Sequence, residues 1–179
     1  MEFESKILSK GIQEMLYNSD KTVGTAESCT GGRIAEAIIS VPGASNYFKG
    51  GVISYTNEVK ENLLGVSHEV LEEQTAVCEE VAKEMVLGAI KALHVDYAVS
   101  ATGVAGPTGG TPAIPVGTIY LGYGSKDDVR VIKLTEDFGR DINLANATTK
   151  ALQMFLQYLL DHTEKNADDG EPQPTFGVL

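Results

Sequence analysis

The chain has 179 residues, 42% of them hydrophobic, and a formal net charge of −11, which describes one domain able to bury a full core without disulfides or metals. The acidity, with no two basic residues adjacent anywhere, argues against a nucleic-acid partner, whose phosphates are bound by clustered Lys and Arg. No apolar stretch approaches the roughly 20 residues that span a bilayer, so no membrane is expected as a partner. Cys29 and Cys78 cannot form a disulfide framework and offer no zinc-ligand spacing. Reduced thiols and the lack of a basic leader followed by an apolar run point to the cytoplasm.

In chain order, residues 3–17 place Leu8, Ile12, Met15 and Leu16 on one face of an amphipathic helix. Lys21–Ala26 reads as a short strand. Thr30-Gly31-Gly32 then leads into the helical pattern Ile34, Ala35, Ile38, Ile39. Phe48–Thr56 is apolar, β-branched and aromatic, the pattern of a buried strand. Asn57 is a natural N-cap for a helix over Glu58–Leu64. A further helical turn is read at Glu69–Glu73, a strong helix over Cys78–Leu93 and a strand over Val95–Ala101.

Gly103–Pro115 is loop. Val116–Tyr123 and Val129–Leu134 form an antiparallel hairpin connected through residues 124–128, and Asp141–Leu160 is the last helix. The expected architecture is a three-layer α/β/α domain over residues 1–160, with a mixed, mostly parallel sheet of about five strands. Residues 161–179 are read as an acidic, mobile tail.

Three segments that could carry chemistry each follow a predicted strand, so one sheet can bring them to a common edge. In the first, Glu27-Ser28-Cys29-Thr30-Gly31-Gly32, a hydroxyl sits beside backbone N–H groups at a helix start, a place suited to an anion. Helix capping by Ser28 or Thr30 explains it equally well. In the second, Tyr55-Thr56-Asn57-Glu58-Val59-Lys60, the lysine falls in the first helical turn, against the helix dipole. That is a route to a neutral amine base, although a solvated surface lysine accounts for it too.

The third runs through Thr102, Gly103 and Gly106 to Gly110, where backbone N–H groups can cradle a phosphate or an oxyanion. Arg140 is a bidentate anion binder or a surface partner of Asp137 or Asp141. His68, His94 and His162 are scattered, so no metal site is expected. Cys29 has no histidine on any strand-end segment to act as its base and reads as a small packed residue.

Four motifs stand in consistent order: TAESCTGG (25–32), VPGAS with Tyr47-Phe48 (41–50), YTNEVK with LLGV (55–66) and ATGVAGPTGG with PVGT (101–118). Over about residues 22–160 the chain resembles the C-terminal domain of the competence/damage-inducible CinA proteins, whose stand-alone members are nicotinamide mononucleotide deamidases. The resemblance implies hydrolysis of a nucleotide carboxamide with Ser28 as nucleophile, Lys60 as its base and Tyr55 as their companion. It implies no metal or organic cofactor and a small nucleotide as the partner. Thr30, Gly31, Gly32, Asn57, Thr102, Gly103, Gly106 and Arg140 are the expected substrate-binding residues, and a homodimer is the expected assembly. Two departures stand out: Leu144 where the family usually has a further arginine, and Cys78 where it has serine.

Overall fold

The computed structural model describes residues 2–168. Its elements are α1 (Glu2–Leu16), β1 (Val23–Glu27), α2 (Arg33–Ile39), β2 (Phe48–Ile53), α3 (Asn57–Leu64), α4 (His68–Gln74), α5 (Glu79–Leu93), β3 (Tyr97–Gly103), β4 (Ile119–Ser125), β5 (Asp128–Leu134) and α6 (Arg140–Asp168). A single 3₁₀ turn at Ala44–Asn46 precedes β2.

The five strands stand in the order β2-β1-β3-β4-β5. β1 pairs in parallel with β2 and β3, while β4 pairs antiparallel with both its neighbours, so β4 alone is reversed. The central strands β1 and β3 (VGTAE and YAVSATG) are covered on both faces, and small residues dominate them. Because side chains alternate across a strand, Val99 and Ala101 join a core with α1, α2 and α6, whereas Ala98 joins a second core with α3, α4 and α5. The result is the expected three-layer α/β/α domain.

The differences from expectation are local and have physical reasons. β2 is an edge strand with alternating burial rather than a fully buried one. Only its inner positions, such as Val52, reach a core. Thr56, not Asn57, caps α3: the Thr56 hydroxyl accepts the Val59 N–H at 3.3 Å, which leaves Asn57 as the first helical residue. The hairpin strands run on to Ser125 and from Asp128, so its connection shrinks to Lys126-Asp127.

α6 continues past Leu160 to Asp168. The His162 ring stacks on Tyr158 at 4.0 Å, and its Nε2 lies 3.1 Å from the Asp128 carboxylate, which ties this extra turn to the hairpin. The rest of the expected tail lies outside the described residues. No described helix is long and apolar enough to cross a membrane.

Close packing of α5 positions the site from behind. Gly88 abuts the Leu64 carbonyl oxygen at the end of α3, where an added Cβ would overlap backbone. Backbone cannot yield as a flexible side chain can. Gly88→Ala is therefore expected to cost about 1–3 kcal/mol or more and to displace α3, which carries Lys60. The urea unfolding midpoint should fall accordingly in this variant.

Candidate active site

β1 ends in a charged residue inside an otherwise uncharged strand. Glu27 is 1% exposed, and its side chain turns forward to cap α2. Oε1 accepts the Thr30 hydroxyl and the Ile34 N–H, both at 2.8 Å, and Oε2 accepts the Ala35 N–H at 3.0 Å. The carboxylate thereby satisfies donors that a helix amino terminus leaves unpaired and meets the positive end of its dipole.

Between strand and helix the chain turns through Ser28, Cys29 and Thr30. Gly31 and Gly32 follow in left-handed conformations at φ 58° and 101°, which glycine adopts without steric cost. Ser28 remains in register with the sheet, its N–H donating to the Ala101 carbonyl at 2.9 Å.

Lys60 reaches this turn from α3. It is 1% exposed, which removes the reading of a solvated surface lysine. Its Nζ donates to Ser28 Oγ at 2.9 Å and to the Ser54 carbonyl at 2.8 Å. None of the ion pairs among the described residues involves it. Burial without a carboxylate partner disfavours the ammonium and lowers the Lys60 pKa to about 8. The neighbouring Cys29 moves the other way: burial pushes its thiol up to about 12. It is therefore a neutral packed side chain at ordinary pH.

Ser28 and Lys60 open onto a cleft of about 240 Å³ at the carboxyl ends of β1, β2 and β3, whose lining includes Tyr55, Asn57, Thr102 and Arg140. Tyr55 is 61% exposed on its rim. The Thr102 hydroxyl donates to the Ala76 carbonyl at 2.7 Å and so fixes the cleft wall ahead of α5. Gly103 must be small, since a Cβ there would lie 2.6 Å from the Thr118 carbonyl oxygen. A larger groove of about 460 Å³ lies beside β5 and α6 and is lined in part by Lys133, Asn146 and Lys150.

Arg140 binds neither Asp137 nor Asp141. Its Nη1 donates to the Gly106 carbonyl at 2.9 Å, leaving its other N–H groups for a ligand. Gly106 itself, at φ 83°, is a support for Arg140 rather than part of the cleft lining. Thr30, Gly31 and Gly32 do not line the cleft either. Glu27 already takes the Ile34 and Ala35 N–H groups at the amino end of α2, which counts against a bound anion there.

Three residues escaped the sequence reading. Glu27 had one available signal, a charge at the end of a strand flanked by small residues. Asn143 had none: buried in the first turn of α6, it donates to the Ala105 carbonyl at 3.1 Å and to Asp137 at 2.9 Å, locking two loops beside the cleft. Ser54, which holds Lys60 through its carbonyl, is the third. Leu144 is 1% exposed in the core, so the arginine missing there does not remove a charge from the cleft of this chain. Cys78 occupies the N-cap of α5 but makes no side-chain cap bond.

The geometry has parallels in known proteins. Residues 5–159 match the model of the CinA C-terminal domain. A CinA-like protein of Leptospira borgpetersenii serovar Hardjo-bovis (strain L550) is 54% identical over 117 residues, which is 65% of this chain and 28% of that protein. The chain thus spans little more than a quarter of the length of that curated relative. Among solved structures, the competence/damage inducible protein CihA from Agrobacterium tumefaciens superimposes with a TM-score of 0.84 at 33% identity, covering 87% of this chain and 95% of that one. A competence-damaged protein (CinA) superfamily protein from Escherichia coli gives 0.82 at 31% identity, covering 86% and 89%. Because the match takes in the whole sheet and all three segments that meet at the cleft, the chain belongs to the CinA C-terminal domain family.

Proposed function

We propose that this domain is a serine–lysine amidohydrolase that converts nicotinamide mononucleotide to nicotinic acid mononucleotide and ammonia. The observation that carries the reading is the buried 2.9 Å contact between Lys60 Nζ and Ser28 Oγ. A lysine with a pKa of about 8 is partly neutral at physiological pH, which a general base requires.

Neutral Lys60 takes the Ser28 proton as Oγ attacks the carboxamide carbon. The oxyanion is held by the Cys29 N–H, which follows the nucleophile and donates to no described residue. The N–H of Ser28 cannot serve, being committed to Ala101. Collapse breaks the C–N bond, and the proton passes from Lys60 to the departing nitrogen, with Tyr55 at the rim as the relay. Water then attacks the acyl-serine ester. Lys60 accepts its proton and returns one to Ser28 Oγ as the acid leaves. The free N–H groups of Arg140 hold the phosphate, and Asn57 and Thr102 line the path of the nucleoside. None of these steps draws on a metal or organic cofactor.

Metal-free protein incubated with nicotinamide mononucleotide should release ammonia and the acid in equal amounts. Ser28→Ala should reduce that release by about 10³-fold or more while keeping nucleotide binding. Saturable binding with no release by the wild type would instead identify a nucleotide-binding module without turnover.

A further inference from the structure

An ammonium has three N–H donors, and a buried one left without an acceptor is costly. Lys60 spends two, on Ser28 Oγ and on the Ser54 carbonyl. The third has no acceptor among the described residues. Ser54 itself is fully buried, its N–H donates to the Glu27 carbonyl at 2.8 Å, and its hydroxyl oxygen has no hydrogen-bond partner. An alanine would occupy this place without burying an unsatisfied hydroxyl. One missing acceptor and one idle hydroxyl therefore belong to two residues already bonded to each other. The Ser54 carbonyl and Oγ are carried on the same Cα, so rotation about χ1 moves the hydroxyl while the backbone keeps its grip on Glu27 and Lys60.

We propose that Ser54 is a positioning residue for the Ser28–Lys60 pair, its hydroxyl accepting the Lys60 N–H that faces neither Ser28 nor the Ser54 carbonyl and holding it most strongly when the amine takes the serine proton. The proposal rests on the serine–lysine reading above. With its lone pair on Ser28, neutral Lys60 keeps one N–H for the Ser54 carbonyl and one for the Ser54 hydroxyl. Protonation adds the N–H that faces Ser28 and makes all three bonds charge-assisted and stronger. The hydroxyl therefore favours the lysinium. Above the Lys60 value of about 8, where the resting amine is neutral, that preference is felt only as Ser28 attacks, and it raises kcat rather than substrate affinity.

The other titratable or charged groups around Lys60 do not supply this acceptor. Cys29 remains a thiol, the Glu27 carboxylate is turned to Thr30, Ile34 and Ala35, and Tyr55 and Arg140 stand in the open cleft. The part of α5 in the core with Leu64 of α3 is apolar, with Val81, Met85 and Val86.

The test compares wild type, Ser54→Ala and Ser54→Thr by carbon-13 NMR titration of labelled lysine side chains, with the Lys60 signal assigned through Lys60→Met. In Ser54→Ala the Lys60 pKa should fall by about one unit, and kcat measured at about pH 10, where the resting amine is neutral, should drop roughly tenfold or more at unchanged KM. Its urea midpoint should be no lower than that of the wild type, because an unsatisfied hydroxyl has gone. Ser54→Thr, which keeps the hydroxyl, should restore the pKa and the rate.

An unchanged Lys60 titration in Ser54→Ala overturns the proposal, whether or not stability has dropped. The titration needs no substrate. If the wild type hydrolyses no nucleotide amide, the amidase reading fails while the NMR result still decides the role of Ser54.

Discussion

Lys60→Met is expected to lower turnover by roughly 10²–10⁴-fold, the usual contribution of a general base, and to be no less stable than the wild type near neutral pH. The methionine keeps the apolar stem and removes the ammonium from a buried position. In the folded chain Lys60 has a pKa of about 8 against an ordinary 10.5. Below pH 8 the folded state therefore carries the full cost of a buried charge, on the order of 3 kcal/mol at 1.36 kcal/mol per unit. That cost is relieved as pH rises from 8 to 10.5, because the unfolded chain there binds more protons than the folded one.

The Ser54 carbonyl left without its donor offsets about 1–3 kcal/mol of the gain. Cys29 complicates the absolute curve. Its raised pKa supports the fold below pH 9 and loses that support as pH climbs toward 12, so the net rise in wild-type stability is confined to about pH 8–9. The difference between Lys60→Met and wild type removes the part of the Cys29 contribution that comes from burial, its largest cause. Urea unfolding at pH 6.5 and pH 10 should show the variant's relative stability falling by about 2–3 kcal/mol between the two. A difference that does not change with pH would mean that Lys60 is not depressed.

Glu27→Ala should produce the largest stability loss among the site variants, about 3–5 kcal/mol. It leaves the Thr30 hydroxyl and the N–H groups of Ile34 and Ala35 unpaired in a buried setting. The same carboxylate anchors the turn that holds Ser28, so activity measured on the remaining folded protein should fall as well. Glu27→Gln keeps the shape but places an amide N–H₂ toward a donor, so it should recover only part of either property. Urea midpoints and turnover per folded molecule check both variants. A midpoint for Glu27→Ala within error of the wild type would show that the carboxylate contributes little to this turn.

The meeting of Ser28 and Lys60 was legible because each lies just beyond a strand, and parallel strands bring their carboxyl ends to one edge. Lys60 also carried a local signal, a cation in the first turn of a helix. Its burial was not legible: a lysine stem packs under a neighbouring loop or trails into water with the same local sequence.

A specific neighbour counts against an anion at Thr30-Gly31-Gly32, one of the two places the sequence offered for it. The occupant of that helix end came from the strand before it, and a strand pattern does not say which way its last carboxylate turns. Asn57 and Thr56 are both competent caps, and only the chain path chose between them. β2 read as buried because FKGGVISYT is apolar, but strand order depends on crossover connections that composition does not encode. Asn143 works through the backbone carbonyl of Ala105, 38 residues away, which no periodicity reveals.

Ammonia release from nicotinamide mononucleotide, measured from pH 5 to 10 with wild type and Ser28→Ala side by side, tests the serine–lysine amidase most directly. The wild-type kcat/KM should rise with pH to a plateau, half-maximal near the Lys60 value of about 8, with Ser28→Ala close to the uncatalysed rate throughout. Release by Ser28→Ala at the wild-type rate, or a wild-type profile flat across that range, would contradict it.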